Sequence, residues 1–193
     1  MPRHRHQHEP DHHHHHHGPH GPHAHKWFYN DEQRLALALI GARQKGIASQ
    51  LVASSSVDLG GLTVELPERV HAVLRHETHH GDLVLKLDLK WFDRPTAIPP
   101  HPHPPHAPHH WVFSYEGEMT LKQAGELLHS IGDQVIDHGT VACHEHTVCL
   151  PAEALMVVRY ERGPRGDLVF KNELVWAEGA TTTVERSIVE LLP

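Results

Sequence analysis

Apolar residues occupy every second position over residues 83–91, and three of the intervening positions are charged. A period of two is typical of a half-buried β-strand, so this segment predicts a strand. Residues 57–66 alternate in the same way on both sides of Gly60-Gly61, which predicts a β-hairpin with a two-residue turn. With the segment 70–77, these runs predict a set of short antiparallel strands.

Residues 121–135 have a helical period instead, with apolar side chains at Leu121, Ala124, Leu128, Ile131 and Val135. Thr120 and Gln123 form a capping-box signal at the start of this helix, and Gly139 predicts its end. A similar capping signal occurs upstream at Asn30 and Gln33. The apolar stripe that follows it is weaker and consists of Ala36, Leu39, Ile40 and Ile47.

The two halves of the chain are copies of one module. Aligning residues 62–91 with residues 146–176, with one residue more in the second copy, gives fourteen identical positions. They include Leu66/Leu150, Pro67/Pro151, Arg75/Arg159, Glu77/Glu161, Gly81/Gly166, Asp82/Asp167 and Trp91/Trp176. Trp27 and Trp111 also correspond upstream, so the repeat includes the segment before each helix.

These patterns predict an α+β fold made of two tandem repeats, each a helix packed on a small antiparallel sheet of hairpins. The predicted divisions are a disordered His-rich N-terminus (1–25), repeat 1 (26–92), a His/Pro-rich linker (93–110), repeat 2 (111–177) and a C-terminal tail (178–193). Each repeat has only about 65 residues, so we expect the two copies to pack together.

Residues 1–25 contain twelve histidines and no apolar periodicity, so this segment cannot bury enough apolar area to offset the entropy of ordering. The six-histidine block at 12–17 is either native or an expression tag. Irregular histidines on both sides of it, and a second tract at 101–110, favour native sequence.

Neutral imidazole is a good ligand for nickel and zinc. A flexible segment with many overlapping ligand sets predicts weak, exchangeable binding of divalent metal, suited to storage or delivery. The candidate ligands are His4, His6, His8, His12, His13, His14, His15, His16, His17, His20, His23 and His25. No organic cofactor is expected.

The stretch HETHH at 76–80 fits the H-E-x-x-H pattern, in which a helix presents His76 and His80 to zinc and Glu77 as general base. The second copy has YERGPRGD at this place, where Gly163-Pro164 cannot continue a helix. The repeat therefore predicts a strand and a turn, with residues 76–80 not helical. A zinc hydrolase is therefore ranked third among the candidate functions, after metal binding by the histidines and an adaptor role.

The stretch CHEHTVC (143–149) is a second candidate metal site, mostly through His144 and His146. Cys143 and His146 align with Leu59 and Leu62, which predicts that Cys143 is a small core residue and that Cys149 faces the other way. The RGD at 165–167 matches an adhesion tripeptide, but a turn that is common to both copies explains it.

Charge and composition limit the partners. The formal charge is −7 with histidines neutral, so nucleic acid is not an expected partner. The N-terminus has no apolar signal region, and LALALIG (35–41) is too short to span a bilayer, which predicts a soluble cytoplasmic protein without membrane contact. Arg75 and Glu77, which recur as Arg159 and Glu161, are exposed charges or a binding surface.

Several stretches of the two copies match one known family. They are FSYEGEMTLKQAGELLHSIGD, the Leu150-Pro151 step and GDLVFKNELVW in copy two, and LTVELPERV and GDLVLKLDLKW in copy one. On these stretches the module resembles the amphi-Trp domain, a small bacterial domain named for its amphipathic strands and closing tryptophan. The two copies that contain these stretches cover about two thirds of the chain. The resemblance implies an accessory or interaction role, and no catalytic residue follows from it.

The sequence thus predicts a non-enzymatic accessory protein that binds nickel or zinc through its His-rich segment. The alternative is an adaptor that binds a protein partner through its two modules, with the histidines incidental.

Overall fold

The computed structural model describes residues 26–79, 81–92, 110–143, 145–163 and 166–180. The predicted disorder of residues 1–25, and the linker up to residue 109, lie outside these residues. The elements are β1 (Lys26–Ala36), α1 (Leu37–Ser54), β2 (Ser56–Asp58), β3 (Thr63–Glu65), β4 (Arg69–His79), β5 (Asp82–Phe92), β6 (His110–Thr120), α2 (Leu121–His138), β7 (Thr140–Cys143), β8 (His146–Cys149), β9 (Glu153–Arg162) and β10 (Asp167–Ala177).

Both copies contribute to one six-stranded antiparallel sheet, with the strand order β1-β9-β10-β5-β4-β6. The predicted fold of two repeats, each with its own small sheet under a helix, is wrong. The first strand of each copy pairs with the other copy, β1 with β9 and β6 with β4. A module of this size buries too little apolar surface alone, and sharing one sheet places β9, β10, β5 and β4 between two neighbours.

The two copies are related by a pseudo-two-fold axis through the middle of this sheet. Leu87 of β5 faces Asn172 of β10, and these two residues are equivalent in the repeat. In the register of β5 and β10, Trp91 lies opposite Leu168 and Trp176 lies opposite Leu83, and these two pairs are equivalent in the repeat. The tandem repeat therefore folds as a dimer-like unit within one chain.

The helices pack against each other on one face of the sheet, held close by glycines. A Cβ atom built on Gly41 would lie 2.5 Å from the backbone oxygen of Gly132. At the equivalent crossing, a Cβ on Gly125 would lie 3.0 Å from the backbone oxygen of Ala48. The two contacts run in opposite directions along the helices, so the helices are antiparallel.

The start of α2 follows the local sequence. Thr120 and Gln123 form the predicted capping box, and Gly139 ends the helix with φ of 62°. These predictions are confirmed, and so is the burial of all five residues of the apolar stripe.

The start of α1 does not follow the local sequence. The cap predicted at Asn30 and Gln33 is wrong, because β1 continues to Ala36 and pairs with β9 along that length. Inter-strand hydrogen bonds outweigh a local side-chain cap, and the helix begins where the backbone N–H of Leu37 donates to Ala152, at 3.2 Å. In the predicted stripe Ile40 and Ile47 are buried, but Leu39 is 58% exposed.

The hairpin β2–β3 turns through Gly60 and Gly61, both with positive φ, as predicted. Its equivalent is the hairpin β7–β8. The strand predicted at 83–91 lies within β5, which confirms that prediction. Residues 76–79 are strand rather than helix, which confirms the second prediction as far as residue 79. Neither helix in the described part of the chain is long and apolar enough to cross a membrane.

The core lies between the helices, the two hairpins and one face of the sheet. One buried polar pair sits at the pseudo-two-fold axis, where the amide of Gln44 donates to the side-chain oxygen of Asn172, at 2.9 Å. The equivalent residues of the other copy are Leu128 and Leu87, both buried. The two halves therefore differ at the centre of the molecule.

Candidate functional site

The face of the sheet that points away from the helices carries the repeated charges, and we call it the open face. Asn172 bonds to α1, so its neighbours Lys171 and Glu173 point to the open face. Val73 and Val157 also lie here, and both are buried although neither belongs to the core under the helices. These two valines are therefore buried on the side of the sheet that faces away from the helices.

Two central rows of side chains cross the open face. From β6 to β1, the first row consists of Ser114, Arg75, Lys86, Glu173, Val157 and Glu32. The second row consists of Glu116, Val73, Asp88, Lys171, Arg159 and Asn30. When the second row is read from β1 to β6, each residue is the repeat equivalent of the residue at the same place in the first row. The pseudo-two-fold axis therefore relates the two rows to each other.

The outer charges of the rows are paired in the same way on both sides. Arg159 lies 3.0 Å from the carboxylate of Glu32, and its Nε donates to the Asn30 side chain at 2.7 Å. The Asn30 hydrogen bond and the Arg159 guanidinium hold the pKa of Glu32 below its ordinary value. On the other side, Arg75 lies 3.4 Å from Glu116. Each edge of the face is thus fixed by a guanidinium–carboxylate pair.

The lysines of the two middle strands bond to glutamates on the strands next to them. Lys86 donates to Glu77 at 2.5 Å, and Lys171 lies 2.6 Å from Glu161, whose side chain is only 3% exposed. Burial alone would lower the pKa of Lys171, but its hydrogen bond with Glu161 and the charge of Asp88 raise it above its ordinary value. Both ammonium groups are therefore held by the glutamates.

Two carboxyl groups remain at the centre of the open face. Asp88 is 5% exposed, and its Oδ1 has no hydrogen-bond partner among the described residues. Burial raises the pKa of Asp88, and burial and the charge of Asp88 raise the pKa of Glu173. Desolvated charges without close partners cost stability, and clusters of perturbed groups are typical of functional sites.

We expect the substitution Asp88→Asn to stabilise the protein at neutral pH. The pKa of Asp88 is raised from its ordinary value of 3.8, so its contribution to stability is full below that value and is lost as the pH rises. Urea unfolding at several pH values checks this, because the gain over the wild type should grow from acid to neutral pH. A loss of stability at pH 7 would contradict this account, because it would show that the neighbouring cations stabilise the charged carboxylate more than burial destabilises it.

A shallow depression of about 680 Å³ lies on the same face, lined by Trp27, Arg159, Glu161 and Lys171. The guanidinium carbon of Arg159 lies 5.0 Å from the centre of the Trp27 ring, a cation–π contact. Trp27 is 57% exposed. The sequence showed that Trp27 is repeated, but it gave no sign that Trp27 is a surface residue. Its position depends on the pairing of β1 with β9, where the register shifts between Trp27 and Tyr29, and this pairing is long-range.

The H-E-x-x-H geometry is absent from the described part of the HETHH stretch. His76 points toward the helix side, where it stacks on Trp176 with ring centres 5.9 Å apart. Glu77 points to the open face and bonds to Lys86. Because neighbouring residues of a strand point to opposite faces, they cannot act together on one zinc ion. His80 lies outside the described residues.

His76 is buried, and neither of its ring nitrogens has a hydrogen-bond partner among the described residues. Burial, and secondarily the charge of His146, lower its pKa below 6.5. The equivalent residue of the other copy is Tyr160, which stacks on Trp91 with ring centres 5.9 Å apart. One half of the molecule therefore has an imidazole, which takes up a proton in mild acid, where the other half has a phenol, which does not.

We expect the substitution His76→Tyr to reduce the acid sensitivity of the protein. A lowered pKa means that the folded state binds fewer protons than the unfolded chain, so stability is full above about 6.5 and is lost as the pH falls. Thermal unfolding between pH 5 and pH 7.5 checks this, through the difference in melting temperature between the wild type and the mutant at each pH. The reverse substitution Tyr160→His should add a similar acid loss, and two parallel profiles would contradict this account.

The CHEHTVC stretch forms the hairpin β7–β8. Cys143 is buried, which raises the pKa of its thiol, and Cys149 is exposed, so both predicted orientations are confirmed. His146 is exposed and contacts the ring of Phe113, with centres 5.9 Å apart. Among the described residues, no group of three histidines, cysteines or carboxylates is placed to hold a metal ion. His144 and the twelve histidines of residues 1–25 lie outside the described residues.

No family model matches the chain, and no match is found among the curated proteins or among the solved structures. The resemblance to the amphi-Trp domain stays a prediction from the sequence.

Proposed function

We propose that this protein is a non-enzymatic accessory protein that binds a protein partner through the open face of its sheet. The main support is that the repeat keeps the charges of this face, as Arg75/Arg159, Glu77/Glu161 and Lys86/Lys171. Several equivalent positions on the helix side differ, as His76/Tyr160, Leu85/Phe170 and Leu87/Asn172, whereas the core residues Leu89/Leu174 and Trp91/Trp176 are kept. Packing of the core explains the repeated apolar residues but not the repeated charges.

The chemistry of the open face suits recognition of a protein. Tryptophan and arginine are the residues most often found at the energetic centre of protein interfaces. Trp27 and Arg159 lie together in the depression, and fixed ion pairs surround them. Charges that are held in place by their neighbours bind a complementary surface without a further loss of side-chain entropy.

Site-specific photo-crosslinking in cell lysate tests this proposal. A photoreactive residue replaces Arg34, which is exposed on the open-face side of β1, or Lys122, which is exposed on α2. We expect crosslinked protein from position 34, lost on Trp27→Ala, and none from position 122. Equal crosslinking from both positions, or no dependence on Trp27, would contradict the proposal.

A second proposed function concerns residues 1–25, which bind nickel or zinc weakly for storage or delivery. Its support is the set of twelve histidines in this segment. Calorimetric titration of the full chain and of a chain without residues 1–25 tests it with Ni²⁺ and Zn²⁺. We expect several weak sites only in the full chain, and equal binding by both proteins would refute this role.

A further inference from the structure

The four side chains at the centre of the open face form a checkerboard of charge. Lys86 of β5 lies opposite Glu173 of β10, and Asp88 of β5 lies opposite Lys171 of β10. Along each strand the positive and negative residues are two positions apart and therefore share the face. This pattern is a consequence of the pseudo-two-fold axis, which exchanges the two lysines and the two acids.

A checkerboard of this kind is complementary to itself. A second copy can be placed face to face with the first by a two-fold rotation about an axis that lies between the two faces and runs parallel to the strands. Lys86 then lies over Glu173 of the second copy, and Lys171 lies over its Asp88. A two-fold axis in the same plane but perpendicular to the strands also places each lysine over a carboxylate. Both of these two-fold axes therefore bring opposite charges together at the centre.

The complementarity extends beyond the centre. With the axis along the strands, Arg75 and Arg159 lie over Val157 and Val73 of the second copy. Glu32 lies over Ser114 of the second copy, and Glu116 over its Asn30. No two like charges oppose each other in the two central rows, which satisfies the main electrostatic condition for a specific interface.

The central acids identify what a partner must supply. The Oδ1 of Asp88 has no hydrogen-bond partner among the described residues, and the nearby lysines bond to Glu77 and Glu161 instead. Stacked sheets lie about 10 Å apart, a distance that lysine and glutamate side chains from the two sheets bridge together. Each lysine ammonium group has three N–H donors, so Lys86 and Lys171 of a second copy keep their bonds to Glu77 and Glu161 while they face the two carboxyl groups.

We propose that the partner of the open face is a second copy of this chain, packed face to face about a two-fold axis that brings Lys86 and Lys171 against Glu173 and Asp88 of the other copy. This inference rests on the proposed function of the open face and specifies its partner. The resulting interface is isologous, as in most homodimers.

Sedimentation equilibrium of the full chain tests this inference, with EDTA present so that metal bound by histidines does not link chains. We expect a dimer at about 20 mM salt that weakens at about 500 mM salt, because salt screens the paired charges. Glu173→Lys places a third lysine over a lysine in either orientation and should weaken the dimer at least about tenfold. Glu126→Lys makes the same charge change on α2 and should leave the dimer unchanged.

The double substitution Asp88→Asn/Glu173→Gln guards against misfolding, because it removes the desolvated charges without adding new ones. At about 500 mM salt, where the dimer is weak, it should unfold no more easily than the wild type, and at about 20 mM salt it should dimerise at least about tenfold more weakly. A monomer at every concentration, or a dimer equally weakened by Glu126→Lys, would overturn the inference. A monomeric chain that crosslinks to another protein from position 34 would overturn only the identity of the partner.

Discussion

Replacing Gly41 by alanine should lower the free energy of unfolding by about 2–3 kcal/mol, a loss typical of overpacking a close contact. A Cβ atom at this position would lie 2.5 Å from the backbone oxygen of Gly132 and 2.5 Å from a side-chain carbon of Ile136. Backbone cannot move aside locally, so the two helices must separate along their whole contact. Urea unfolding followed by circular dichroism measures the loss.

Gly46 is the matched control for this substitution, because it lies in the same helix with nothing within 4 Å of its Cβ position. Gly46→Ala should raise the free energy of unfolding by about 0.5–1 kcal/mol through helix propensity alone. Opposite signs at the two glycines would show that contact between the helices decides the outcome. If both substitutions stabilise the protein, the close crossing is wrong.

Replacing Asn172 by leucine should destabilise the protein by about 1–3 kcal/mol, the cost of leaving a buried polar group without a partner. Gln44 is 2% exposed, and the bond to Asn172 is the one hydrogen bond found for its side chain in the described structure. The double substitution Gln44→Leu/Asn172→Leu should recover most of this loss. It makes the pair resemble Leu128 and Leu87 on the other side of the axis.

A double-mutant cycle on Gln44 and Asn172 measures their coupling by urea unfolding. The coupling should be favourable by about 1 kcal/mol or more, because either single substitution strands the other amide. Additive effects would show that the two side chains are independent. Leu87→Ala is not a suitable comparison, since it opens a cavity and so adds a different cost.

Local signals in the sequence were sufficient for the elements that depend on neighbouring residues. The capping box of α2 satisfies orphan N–H groups within one turn, so Thr120 and Gln123 predicted its start. The hairpin at Gly60-Gly61 needs positive φ, which glycine adopts without strain. The start of α1 depends instead on how far β1 pairs with β9, and no local pattern contains that information.

The exchange of first strands could not be predicted from the sequence. β4 and β9 present the same side chains to an incoming strand, Val73 and Arg75 in one and Val157 and Arg159 in the other. A strand that fits one therefore fits the other, and the choice depends on the chain connections and on the packing of the whole sheet. Repetition within a sequence identifies the units but leaves their pairing open.

The candidate site was predicted in part. The repeat indicated that Arg75, Glu77, Arg159 and Glu161 are on a polar face with a possible binding role. The desolvation of Asp88 and Glu173 was not predicted, because it arises where β5 and β10 meet across a sequence separation of 85 residues. The depression at Trp27 likewise requires β9 and β10 beside β1.

Disulfide formation between β1 and β9 is the most direct test of the exchanged sheet. With Cys143 and Cys149 replaced by alanine, cysteines are placed at Asn30 and Arg159, which face each other across the two copies. Opposite residues of antiparallel strands have Cβ atoms about 4.5–5.5 Å apart, close to the reach of a disulfide.

The control pair is Asn30 and Arg75. If each copy kept its own first strand, β1 would pair with β4. Asn30, the repeat equivalent of Ser114, would then lie opposite Arg75, as Ser114 does in this structure. Peptide mapping after mild oxidation at low protein concentration should find an intramolecular disulfide between positions 30 and 159 and none between positions 30 and 75. The reverse result would contradict the single shared sheet.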